Sequence, residues 1–225
     1  MENTHEKEKI ASFVKSAISI RPTDNVLDVG SSYGDLVRLI QPNTKNITMV
    51  DILDQEIKDA NYIKQRFEEC NLNQQYDLVI ASHVWGHFAH SQTSRRALEK
   101  VIRHTKNGGK IIITHNTNTG FFGYLGEYVK SLMPQSEINQ FDEKLTKPYL
   151  DEAILKPVLA GYFNSVLTTE TFEELANMCR VFFVNDEKIY EKNRKAIHCF
   201  LSGNLYSPEL MIEQKMTIFE KGEVK

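Results

Sequence analysis

The residues able to do chemistry fall into two groups. The first is Gly30-Ser31-Ser32-Tyr33-Gly34, a small, turn-forming stretch set between two acids, Asp28 and Asp51. It departs from the dinucleotide fingerprint G-x-G-x-x-G. Ser32 takes the place of the central glycine, which lets backbone approach a pyrophosphate. Asp28, just before Gly30, repels a phosphate and attracts a cation. Asp51 stands 21 residues after Gly30. Its carboxylate can accept two hydrogen bonds from a ribose diol. The second group is histidine. His83, His87 and His90 lie close together, and His115 follows. Imidazole titrates near neutrality and can take a proton from a substrate. His83 and His87 have the i, i+4 spacing of zinc ligands on a helix. No third ligand sits at motif spacing, so a metal centre is not expected. His83 reads as lining a pocket, and His87 as orienting a helix turn.

These groups need elements to hold them. Val26, Leu27 and Val29 form an apolar run short enough for a buried strand. Leu36, Val37, Leu39 and Ile40 recur at helical spacing until Pro42. Ile47 to Val50 is a second apolar run, closed by Asp51. Strand, glycine loop, helix, strand and acid make half of a nucleotide-binding α/β fold. The ligand that suits it carries an adenosine, no phosphate and a positive charge. S-adenosylmethionine (SAM), with its sulfonium and amino group, is such a ligand.

The run V-L-D-V-G-x-x-x-G followed by V-D resembles motif I and the acidic motif of class I SAM-dependent methyltransferases. The resemblance implies an α/β, Rossmann-like sheet of seven strands with helices on both faces. It implies a cofactor wall of Asp28, Gly30, Ser31, Ser32, Gly34, Asp51 and Ile52. Tyr76-Asp77-Leu78-Val79-Ile80-Ala81-Ser82 resembles the family's fourth strand, and Lys106-Asn107-Gly108-Gly109-Lys110 its turn into the fifth. Ligands of open α/β sheets lie beyond such carboxyl ends, which adds Ser82 and His83 to the wall. An acid or polar residue after the family's third strand bonds the adenine amino group. Glu68 is the candidate, with Glu69 and Asn71 as rivals. Many small-molecule members carry V-L-E-H after the fourth strand. Here Val84-Trp85-Gly86-His87 puts Gly86 in place of the acid. The resemblance covers residues 24 to 116 well and 168 to 190 loosely.

Elsewhere the pattern alone speaks. Ile10, Phe13, Val14, Ala17 and Ile18 mark a helix over residues 5 to 18, and in the family such a helix closes over the cofactor. Helices are expected over 53–63 and 91–104, a third strand over 63–67 and a fifth over 111–114. After the fifth strand, the aromatic stretch from Phe121 to Leu132 and the mixed residues beyond it exceed ordinary loop lengths. Residues 117–165 are therefore read as a helical lid over the acceptor, within one domain spanning 1–225. Extra core or a dimer surface are the alternatives. Thr169 is expected to cap a helix, Val181 to Val184 to form the sixth strand, and Ala196 to Leu201 to form a strand or a helix. A helix starting at Ser207-Pro208 or a strand over 216–219 would follow. This later arrangement is loosely similar to that of histamine N-methyltransferase-like enzymes.

The composition bounds the partners. The chain has 225 residues, 41% hydrophobic and 25% charged, and a net charge of −3, which argues against a mainly electrostatic hold on nucleic acid. Cys70, Cys179 and Cys199 form no C-x-x-C pair, so reduced thiols in a cytoplasmic protein are expected. No apolar run is long enough for a transmembrane helix. The resemblance thus implies methyl transfer from SAM to nitrogen or oxygen of a small molecule, by a monomer or a homodimer. An RNA or protein methyltransferase and a non-catalytic SAM-binding protein are the alternatives. Catalytic candidates are His83 and His115, with His87, Lys156, Tyr149 and Tyr162 also able to face substrate.

Overall fold

The computed structural model describes residues 6–41, 46–53, 60–84, 91–135, 138, 155–167, 171–173, 175–176, 179, 187–204 and 210–222. Seven strands form one sheet in the order β3-β2-β1-β4-β5-β7-β6. They are β1 (Val26–Val29), β2 (Ile47–Asp51), β3 (Asn61–Lys64), β4 (Tyr76–Ser82), β5 (Thr105–Thr119), β6 (Leu155–Leu167) and β7 (Leu210–Lys221). The pairs from β3 across to β5 are parallel, and β7 runs antiparallel to both β5 and β6. The central strands are apolar on both faces because helices cover both. All four residues of β1 are buried.

One face of the sheet packs α1 (Glu6–Ala17) and α2 (Asp35–Ile40). Their Ile10, Val14, Leu36, Val37 and Ile40 meet Val26, Met49, Ile80 and Ile112. The other face packs α3 (Ser91–His104), whose Ala97, Leu98 and Val101 meet Leu27, Val79, Ile111 and Ile113. A third core joins α4 (Gly120–Ser131) to α5 (Glu187–Asn204). There Phe121, Leu125 and Val129 pack on Ile197, Leu201 and Ile212.

Several expectations are corrected. Residues 117–165 are not a helical lid throughout: 117–119 end β5, 120–131 are α4, and 155–165 lie in β6. Beta-strand Leu155–Leu167 is the sheet's edge, and its register to β7 slips between Pro157 and Leu159. Proline lacks the N–H a ladder needs and is tolerated at such irregular edges, which hides the strand from a periodicity reading. The sixth strand in chain order is thus 155–167. Residues 181–184, and Thr169, lie outside the described residues. Ala196 to Leu201 belongs to helix α5, and the last strand is the longer 210–221 around Met216 to Phe219. The third strand lies at 61–64 rather than 63–67. The glycine pair 108–109 does not precede β5 but swells out within it: Tyr76 pairs with Thr105 and Leu78 with Lys110, leaving four residues to bulge. Lys106 reaches back from that bulge to the Asp77 carboxylate at 2.8 Å, which also accepts from the Asn25 N–H. The 53–63 helix falls largely on residues outside the description.

Candidate functional site

The glycine loop turns at the carboxyl end of β1. Gly30 has φ +67° and Gly34 φ +72°, a region that L side chains enter with strain. A Cβ on Gly30 would stand 2.7 Å from Cγ2 of Val84, so the loop is seated against the segment after β4. Ser32 also has positive φ, +47°. Its N–H donates to Oδ2 of Asp51 at 2.8 Å, and the Leu53 N–H donates to Oδ1 at 3.0 Å. Asp51 therefore ties the loop to the exit of β2. Each of its oxygens keeps a further acceptor position.

Loop and strand ends open onto a cavity of about 610 Å³, within the range of small-molecule sites. Asp28, Gly30, Ser31, Ser32, Asp51, Ile52, Glu68, Ser82 and His83 all line it. Gly34 does not; it starts α2, with Met49 packed where a Cβ would go. His115 is not brought there. By strand alternation it falls on the β5 face that carries Ile111 and Ile113, and it does not line the cavity. Lys156 and Tyr162 are exposed on β6, and Tyr149, Trp85, His87 and His90 lie outside the described residues. Among the described residues, no group of three His, Cys, Asp or Glu could hold a metal ion.

The resemblance implies a first helix over the cofactor but not which of its side chains face the cavity. Glu6, Lys7 and Ile10 of α1 line the cavity. Ile10 belonged to the helical stripe, but nothing in its surroundings marked Glu6. The imidazole Nε2 of His83 lies 3.0 Å from Oε1 of Glu6, and Nε2 of Gln214 donates to the same oxygen at 2.6 Å. Burial would raise the Glu6 carboxyl, but the His83 hydrogen bond and charge and the Gln214 amide outweigh it and hold it below its ordinary value. His83 has φ +57°, and its N–H donates to the Thr114 carbonyl at 2.9 Å. Strained backbone of this kind gathers at functional sites.

Loop 67–70 was also missed as a held element. The Lys100 ammonium donates to the Phe67 carbonyl at 2.6 Å and to the Cys70 carbonyl, and lies 5.0 Å from the Phe67 ring centroid. It thereby fixes the turn that presents Glu68.

The cavity suits SAM. Asp28 is 3% exposed, and burial, then the charge of Asp51, pushes its carboxyl up to about 7, with Lys7 opposing. A buried acid so placed gains from an incoming cation. Among the described residues, Ser31 Oγ is buried against the cavity with no hydrogen-bond partner, a polar atom left for a ligand.

Comparison with known proteins gives the family and the fold. A family model described as a methyltransferase domain matches residues 3–147. The N-methyltransferase NodS of Bradyrhizobium japonicum WM9 shares the fold with a TM-score of 0.54 at 10% identity, covering 97% of each chain. Its complex with S-adenosyl-L-homocysteine aligns at 0.55 and 11% identity, over 99% of this chain and 90% of that one. A putative methyltransferase of Bacillus halodurans C-125 aligns at 0.58 and 12% identity, over 96% of this chain and all of its own. Among curated proteins, ribosomal RNA small subunit methyltransferase A of Malacoplasma penetrans (strain HF-2) is 31% identical over 84 residues, 32% of this chain. The match takes in only 31% of that relative's length. Most of the chain under one family model, and a seven-stranded sheet with only β7 reversed, make this protein a member of the methyltransferase domain family and a class I SAM-dependent methyltransferase.

Proposed function

We propose that the acceptor is a small molecule, methylated on nitrogen or oxygen. The observation that carries this reading is the roof: α1 contributes Glu6, Lys7 and Ile10 to the cavity wall, and Lys7 bonds Asp35 just after the glycine loop, so a helix bounds the site. Asp28 would face the cofactor's positive charge, Asp51 the ribose and Glu68 the adenine. Gly30, Ser31, Ser32, Ile52 and Ser82 complete the wall. When bound, SAM supplies a methyl group on a good leaving group. The protein's task is then alignment and exclusion of water. His83 is the group placed to take a proton from the acceptor. His115 has no part in this reading.

The test is calorimetric titration with SAM and S-adenosyl-L-homocysteine, with NAD as control, followed by a labelled-methyl screen of small amines and phenols. Binding of the first two ligands and methylation of a small amine or phenol is the expected result. A second reading, an RNA acceptor, is favoured by the match to the ribosomal RNA enzyme over 84 residues. Label entering an rRNA fragment and no small molecule would replace the first reading with the second.

A further inference from the structure

Glu6 and Gln214 do more than close the roof. The Glu6 carboxylate has no proton to give, so across the 3.0 Å contact the imidazole must be the donor. Nε2 then carries the hydrogen and Nδ1 the lone pair. Lys7, Asp28, Asp51, Arg66 and Glu68 also line the cavity. Among the described residues, Glu6 is the charged group within hydrogen-bonding distance of the imidazole. The carboxylate is 8% exposed, and Gln214, 2% exposed, anchors it from β7.

We propose that Glu6 is a positioning residue: it holds His83 in the Nε2–H tautomer, leaves Nδ1 to accept the acceptor's proton, and stabilises the imidazolium that forms. Charge balances in this step. The acceptor loses one proton, Nδ1 gains it, and the cation formed lies against the Glu6 anion. A carboxylate behind an imidazole works in this way in hydrolytic triads. The inference rests on the reading of His83 as proton acceptor. It ties the first helix to the chemistry, since the tautomer is set only while α1 is seated.

Two measurements test it on the full chain saturated with S-adenosyl-L-homocysteine. Nitrogen-15 NMR at pH 8 should show His83 with Nε2 protonated and Nδ1 bare, and Glu6→Ala should relax this toward a mixture. A wild-type Nδ1–H tautomer, or no change in the variant, overturns the proposal. In turnover with the acceptor from the screen, Glu6→Gln should lower kcat about 10- to 100-fold, the worth of a hydrogen bond to a charged group. KM for acceptor and SAM should move less than about threefold, because transition-state and ground-state losses separate in this way. A packing role would instead change KM or stability, and an unchanged kcat overturns the proposal. Should the screen find no acceptor, the proposed function fails, while the tautomer ratio still decides the role of Glu6.

Discussion

Asp28 and Glu6 are two carboxylates buried in the walls of one cavity, and they are held in opposite ways. Burial and the neighbouring Asp51 push Asp28 up to about 7. Glu6 is kept below its ordinary value, because His83 and Gln214 offset its burial. The difference lies in their partners, as both are less than a tenth exposed. The cofactor wall is left unbalanced and gains when a cation arrives. The roof is balanced by the chain itself. One end of the site is completed by its ligand, the other by folding.

The comparison can be broken at Asp28 first. An acid whose folded pKa lies above its unfolded one costs stability as pH rises, since the unfolded chain ionises first. The loss begins near pH 4 and is complete above about pH 7. With a folded value of about 7 against an ordinary 3.8, the cost at pH 8 is about 4 kcal/mol. Asp28→Asn should therefore raise the urea midpoint of the ligand-free protein at pH 8 and leave it nearly unchanged at pH 4. Equal midpoints at pH 8 would mean that Asp28 is as well paired as Glu6.

Next comes the loop that faces it. Gly30→Val places a Cβ 2.7 Å from Val84 at a φ of +67°, and SAM affinity should fall by about 100-fold or more by calorimetry. Asp51→Ala removes the acceptor of the Ser32 and Leu53 N–H groups, and affinity should fall about 10- to 100-fold. Full affinity in either variant would remove the loop from the site. The smallest effect is at Lys7, which bonds the Asp35 carboxylate at 2.8 Å with both side chains near half exposed. Lys7→Met should cost less than about 1 kcal/mol in urea unfolding, as exposed ion pairs do. A larger loss would show that the roof depends on its rim.

What could be read from the chain was what lies close together in it. Asp28, Gly30 and Asp51 fall within two strands and the loop between them, and all three line the cavity, whereas Gly34 starts α2. Helix 91–104 and strand 76–82 keep the bounds that their periodicity gave. The lost features depend on register or on distant partners. His83 and His115 look alike as sequence, yet strand alternation sends His115 to the α3 face, and only the β4–β5 register reveals it. Strand 155–167 is hidden in the sequence because Pro157 and Gly161 break its pattern, as an edge strand permits. Glu6 lies 77 residues from His83, so no local motif could link them.

The hydrogen bond from Gln214 to Glu6 joins residues 208 apart in the chain. Synthesis runs at about 5–20 residues per second, so about 10–40 s separate the making of the two partners on a ribosome. During that interval the strands that carry the glycine loop and Asp51 have all been made, while the clasp on α1 is still missing. The nascent protein thus has the means to shape its cofactor wall before it has the means to lock its roof.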